Sequence, residues 1–270
     1  MSTLKLLKSR LINGVNVMLG RVEPVYFARE KDSECPVCGK KGVFFKPLPF
    51  SFFREYYKHQ YIHSIFQSET INLEFYTCSN CQANDRDRLY ALYFRKVLQN
   101  SNAVLSVLDI APAPGLSHFL KSQTLLKVRT ADLFMPGVDD KVDITNMTIY
   151  SEGQFDAFIC SHVLEHIDED VKAMKELYRI LKQGGWGIAM VPVNLALKEI
   201  YENPAVKEVG DRWKHFGQDD HVRMYSKQGF VDRLKSAGFK VDQLDISYFG
   251  EDSFRKHGIH PRSVLYIANK

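Results

Sequence analysis

The spacing of apolar positions divides this chain into three stretches. In residues 1–30, Leu4, Leu7, Leu11 and Val15 recur at helical spacing, with Lys5, Lys8 and Arg10 off that stripe. The pattern predicts an amphipathic basic helix and a tether, packed on the rest of the protein rather than laid on a membrane surface. In residues 31–83 no useful period survives. Pro, Gly and aromatic residues cluster there, and only Ile71 to Thr77 reads as a strand. From residue 84 to 270 helical and strand periods alternate. The pattern predicts helices over 85–98, 116–121, 168–183 and 226–237, and strands over 104–110, 127–131, 155–160, 187–193, 239–246 and 263–268. Val171, Met174, Leu177, Tyr178 and Leu181 share one face of the third helix, which Gly184-Gly185 are expected to end. Strands alternating with helices imply a mostly parallel α/β sheet covered on both faces, and the last two strands are placed to form a hairpin.

Composition changes this picture little. An apolar fraction of 45% and a charged fraction of 25% are those of a water-soluble globular chain. No apolar run reaches the length of a membrane span and no secretory leader is evident, so a cytoplasmic protein is expected. The formal charge of +4 permits an anionic partner without demanding one.

The first strand of the alternating region ends in Asp109-Ile-Ala-Pro-Ala-Pro-Gly115, a strand–turn–helix passage placed to cradle a nucleotide. A dinucleotide fingerprint requires a small residue at 116, which is Leu. The small residues fall instead at Ala111, Ala113 and Gly115. Asp132 ends the second strand, where a carboxylate can accept from both hydroxyls of a ribose.

These residues resemble the first motif of class I methyltransferases that use S-adenosylmethionine (SAM), with alanines where the usual first two glycines stand. The resemblance extends from Val104 to Pro192. It takes in Asp143 after the third strand, Phe155-Asp-Ala-Phe-Ile-Cys-Ser161-His162-Val-Leu-Glu165-His166, and the Leu177 to Gly185 passage. It implies a Rossmann-like fold whose last strand is antiparallel. It also implies a SAM site formed by Asp109, Ala111, Ala113, Gly115, Asp132, Asp143, Ser161 and His162. Glu165 and His166 are expected to cap a helix locally.

Cys35-Pro-Val-Cys38 and Cys78-Ser-Asn-Cys81 are paired knuckles, each able to bring two thiolates to one ion. Together they predict a closed structural zinc site, with residues 43–76 looping out as an insertion. Cys160, inside a strand, reads as a buried small hydrophobe.

The irregular segment after the fifth strand holds Asp219-Asp220-His221-Val-Arg223-Met-Tyr225. Together with the paired cysteines, Arg86-Asp87-Arg88 and Ile110-Ala-Pro112, it resembles a bacterial subgroup of these methyltransferases whose genes often sit among those for surface glycans or natural products. That implies a small hydroxylated acceptor, sugar or natural product. For O-methylation His221 is the expected base, Asp220 orients it, and Arg223 holds an anionic group of the acceptor. Two other readings compete. Lys46, Arg54, Lys58 and His59 among aromatics would suit an RNA substrate. The altered loop would suit a zinc-dependent binding protein that has lost SAM, against which the retained acids at 109, 132 and 143 argue.

Overall fold

The computed structural model describes residues 32–100 and 102–270. The expected helix of residues 1–30 lies outside them. Two short strands, β1 (Phe45–Lys46) and β2 (Thr77–Cys78), pair antiparallel around the cysteine knuckles. Between them lies a helix, α1 (Phe50–Lys58).

The alternating region follows as α2 (Asp85–Gln99), β3 (Leu105–Ile110), α3 (Pro114–Lys121), β4 (Leu126–Asp132), β5 (Asp140–Lys141), β6 (Phe155–Ser161), α4 (Asp170–Ile180) and β7 (Leu181–Met190). The chain then forms β8 (Tyr201–Glu202), α5 (Val209–Phe216), β9 (Arg223–Met224), α6 (Lys227–Ser236), β10 (Lys240–Leu244), α7 (Ile246–Phe249), α8 (Glu251–Lys256) and β11 (Leu265–Asn269).

The central sheet runs β10-β11-β7-β6-β3-β4-β5, parallel throughout except for β11, which is antiparallel to both neighbours. The order reverses between β3 and β6. Right-handed crossovers through α3 and α4 therefore cover opposite faces, and the strand ends at this switch point open a crevice. Strands buried on both faces need continuous apolar runs, and Val107, Leu108, Phe158, Ile159, Ile188 and Ala189 supply them with no more than 1% exposure. The same hydrophobic cluster continues into Cys35, Val37, Val43, Phe45 and Cys78.

Four expectations are corrected. The helix before β7 ends at Ile180 rather than at the glycine pair. Gly184 and Gly185 sit inside β7, at a register shift against β6. Ile71–Thr77 is irregular, and only Thr77–Cys78 is extended. Residues 43–76 do not loop out: α1 packs on α5, and the Ile62 and Glu69 amides donate to the carbonyls of Lys214 and Val193, at 3.0 Å each. Finally, the segment before α6 contains α5 and the β8–β9 pair. Among the described residues no helix is long and apolar enough to cross a membrane.

Candidate functional site

β3 and β6 are each followed at once by a residue in the left-handed region, Ala111 (φ 51°) and His162 (φ 56°). Neither is glycine, so each conformation is held against a local cost, and such positions gather at functional sites. Both are tied to the sheet beyond the strand. The Ala111 amide donates to Ala131 O (2.9 Å) and the His162 amide to Met190 O (2.8 Å). Pro114 costs the turn little, because it begins α3, where an amide has no helical partner.

Two cavities flank His162. The first, of about 480 Å³, is lined by Ala111, Asp132, Phe134, Asp143, His162 and Ile167 among others. Asp132 Oδ1 accepts from the Phe134 and Met135 amides (2.7 and 2.6 Å), and Asp143 Oδ1 accepts from the Thr145 amide and hydroxyl (2.8 Å each). Each turn fixes its carboxylate through one oxygen and leaves Oδ2 able to accept from a ligand. Of the other expected cofactor residues, Asp109 lies buried beneath the loop and Ala113 is the N-cap of α3. Gly115 packs toward the cysteines, where a Cβ would stand 3.2 Å from Cys81 O. The Ser161 hydroxyl pairs with Tyr90 Oη at 2.8 Å, and Ser161 does not line this cavity.

The second cavity, of about 220 Å³, is closed by Phe52, Tyr56 and Tyr61 from the insertion and by Phe216 from α5, with Arg86, His162 and His221 in its walls. Among the described residues the Arg86 guanidinium makes no side-chain hydrogen bond or close ion pair, although the charges of Asp85 and Asp87 act on it from nearby. The insertion is therefore a roof over the crevice.

Between the cavities lies Glu165, fully buried. It caps no helix. Its Oε1 stands 3.0 Å from His162 Nδ1 and 3.9 Å from His221 Nε2. Burial alone would push the carboxyl up, but the surrounding histidines outweigh it and draw it down to about 2. Burial, with the charge of Arg86 adding to it, draws His162 down to about 4, and burial lowers His221 too, so both are neutral at pH 7.

Two expected roles meet different surroundings. Asp220 lies 3.1 Å from His166 Nδ1 rather than orienting His221. Arg223 is buried, paired with Glu202 and donating to the carbonyls of Leu164, Ile167 and Asp168. Four of its five donors are taken by Glu202 and the loop after β6, so it serves mainly to hold that loop. Arg86, marked in the sequence only as part of Arg86-Asp87-Arg88, is the cation that faces the cavity.

The four cysteine sulfurs lie within 4.8 Å of one another, and the Asn80 amide and side chain donate to Cys78 Sγ and Cys38 Sγ (3.4 Å each). Cys160 is buried in β6 as expected.

A family model described as a methyltransferase domain matches residues 83–244. No curated protein matches. Among solved structures the chain is similar to a SAM-dependent methyltransferase from Archaeoglobus fulgidus, at 14% identity and a TM-score of 0.44, covering 68% of this chain and 94% of that one. It is similar to an S-adenosylmethionine-dependent methyltransferase from Mesorhizobium loti, at 12% identity and a TM-score of 0.39, covering 68% and 98%. It is also similar to phosphoethanolamine N-methyltransferase 2 of Haemonchus contortus in complex with SAM, at 16% identity and a TM-score of 0.42, covering 66% and 51%.

Proposed function

This chain belongs to the methyltransferase domain family, and on that premise we propose that it transfers the methyl group of SAM to a hydroxyl of a small acceptor bearing an anionic group. The observation that carries the reading is the pair of cavities meeting at His162: one rimmed by two half-committed carboxylates, the other roofed by aromatics around Arg86.

The first cavity fits SAM by its donor set. Asp132 Oδ2 accepts from the ribose hydroxyls and Asp143 contacts the adenine side, while Ala111 offers backbone and a single methyl in the crevice. Asp109, Ala113, Gly115 and Ser161 support the loop from behind. When bound, SAM supplies an electrophilic methyl on a sulfonium sulfur.

The second cavity suits one ring, of a sugar, a natural product or a single extruded base, and Arg86 in its wall favours a small acceptor with an anionic group. Aromatic walls exclude water and stack on the acceptor, and Arg86 pairs with its carboxylate or phosphate. We assign proton acceptance to His162. The carboxylate of Glu165, 3.0 Å from Nδ1, favours the tautomer with its proton there, leaving the Nε2 lone pair for the acceptor hydroxyl. His221 stays in the cavity wall, and Asp220 and Arg223 hold the loops that carry it.

Cys35, Cys38, Cys78 and Cys81 are proposed to hold a structural zinc. Four sulfurs at these separations, with amide donors on two of them, fit a tetrahedral thiolate site with no open position. The ion supplies cross-linking there and no chemistry.

Calorimetric titration of S-adenosylhomocysteine tests the cofactor half: micromolar binding by the wild type and at least a tenfold loss in Asp132→Ala are expected. Methyl transfer from labelled SAM to a panel of hydroxy acids and sugar phosphates tests the rest. His162→Gln should lower turnover by about 10²–10⁴-fold at saturating SAM, well beyond any change in S-adenosylhomocysteine affinity read by the same calorimetry. Unchanged turnover removes His162 as the base, and wild-type protein that binds no S-adenosylhomocysteine ends the enzyme reading.

A further inference from the structure

We infer that Glu165, His166 and His221 hold a divalent transition-metal cation in the wall between the two cavities, a site separate from the four cysteines. The three come from distant parts of the chain, the turn after β6 and the loop before β9, yet one donor atom of each lies within 4.8 Å of the others.

Hydrogen bonding leaves these atoms unaccounted for. Both carboxylate oxygens of Glu165, His166 Nδ1 and His221 Nε2 are buried without an aligned hydrogen-bond partner among the described residues. The contacts of His162 with Glu165 and of Asp220 with His166 are at ion-pair distance but off the alignment a hydrogen bond needs. A fully buried carboxylate whose one close polar neighbour, His162 Nδ1 at 3.0 Å from Oε1, lies off hydrogen-bond alignment is costly, and native structures rarely keep one without a further ligand.

The tautomer of His221 sharpens the point. Its Nδ1 stands 3.2 Å from the Phe216 carbonyl, which can only accept. The proton therefore sits on Nδ1, and Nε2 turns a lone pair toward Glu165 Oε1, 3.9 Å away. Two electron-pair donors facing one another across that gap repel unless a cation lies between them. A first-row divalent ion bonds imidazole nitrogen and carboxylate oxygen at about 2.0–2.2 Å each, so one ion spans the separation. The bond from His221 Nδ1 to a carbonyl is also the outer support that a metal-bound imidazole usually has.

Two imidazoles and one carboxylate select zinc, iron(II), cobalt or nickel over calcium and magnesium, which prefer oxygen. Three protein ligands leave coordination positions open. His221 and His162 line the acceptor cavity, so an acceptor oxygen can take one of them. Resting on the function proposed above, the cation then lowers the pKa of that hydroxyl. The O–H bond breaks with its electron pair left on oxygen, and the proton passes to His162 Nε2.

Metal content decides the site without reference to activity. Full-length wild-type protein saturated with Zn²⁺ and freed of excess should carry two ions per chain by elemental mass spectrometry. Glu165→Gln and His221→Ala should each carry one. With Co²⁺ as the probe, the two equivalents should differ in the visible spectrum, one with thiolate charge-transfer bands and one with only weak nitrogen–oxygen bands. Bound Co²⁺ that shows thiolate bands alone in saturated wild type, at one equivalent or two, overturns the site whether or not the variants fold. Titration of S-adenosylhomocysteine into the same samples reads the cofactor proposal independently, so the two can fail separately.

Discussion

Arg86, Asp87 and Arg88 occupy one turn at the start of α2 and do three different things. Asp87 closes a capping box with Asn84 (2.9 and 3.0 Å). Arg88, fully buried, donates to the carbonyls of Phe75, Tyr76, Ala83, His257 and Gly258, clamping the insertion, the second knuckle and the C-terminal segment together. Arg86 alone points into the cavity roofed by aromatics. Such a division cannot be read from a charged tripeptide, because it depends on which backbone folds over each side chain. Asp109 raises a similar question of surroundings. Its Oδ2 is buried without a partner, and burial, with the nearby charge of Asp87, pushes its carboxyl up to about 7. A native-state value above the unfolded one means that the unfolded chain releases the proton first as pH rises. Stability from this group is thus complete below about pH 4, is lost progressively up to about pH 7, and is level above. Asp109→Asn lacks that loss. Its stability relative to wild type should rise by about 2–3 kcal/mol between pH 5 and pH 8, read by urea unfolding at each pH. A constant difference would show that Asp109 is ionised throughout.

The pairing of β6 with β7 places Phe158 opposite Gly187, and the Phe158 ring lies where a glycine Cβ would be, 2.2 Å from that position. Both strands are central and close-packed, so the ring has nowhere to retreat. Gly187→Ala should cost about 2 kcal/mol and lower Tm by about 4–8 °C in a thermal melt. A melt like the wild type's would mean that the ring turns aside. At this scale the long parallel strands were legible in the sequence, since continuous apolar runs between helical periods admit few other readings. Asp132, Asp143 and His162 were legible with them, because a strand end in an α/β sheet is where ligands bind. What escaped has a physical cause. α1 is amphipathic, with Ser51, Arg54, Glu55 and Lys58 together on one side, but it has only nine residues and begins after Pro49 with no side-chain cap, so its period is too short to stand out among the surrounding turns. Its place is set by contact with α5, itself short and aromatic. Glu165 escaped because its role depends on His221, which comes to it only when the loop before β9 folds back. That return is held by Arg223 on the carbonyls of Leu164, Ile167 and Asp168.

Across the whole molecule the cysteine knuckles and the cofactor loop form a continuous structure. Gly115, in the first turn of α3, approaches Cys81 O so closely that a Cβ would stand 3.2 Å from it, and Ala83 packs beside it. Arg88 ties Ala83 O to the C-terminal segment, and Asp32 and Glu34 before the first knuckle pair with Arg255 and Lys256 (2.7 and 2.8 Å). The surface ion pairs add little by themselves. The buried contacts mean that the second knuckle supports the α3 start from behind, and α3 in turn fixes the loop that carries Ala111. If zinc holds the four cysteines, its removal should loosen that support without touching a residue of the SAM cavity. Cys81→Ser, which leaves Glu165, His166 and His221 intact, is therefore expected to weaken S-adenosylhomocysteine binding about tenfold and to lower Tm, whereas a chelator would empty both metal sites. Cys160→Ser, at a buried position away from the knuckles, separates the loss of a thiol from the loss of the ion, because it should leave zinc content unchanged. Tight S-adenosylhomocysteine binding in zinc-free, folded protein would show that the knuckles stand apart from the cofactor loop despite their contact. The α3 start would then be held by its own packing on α2.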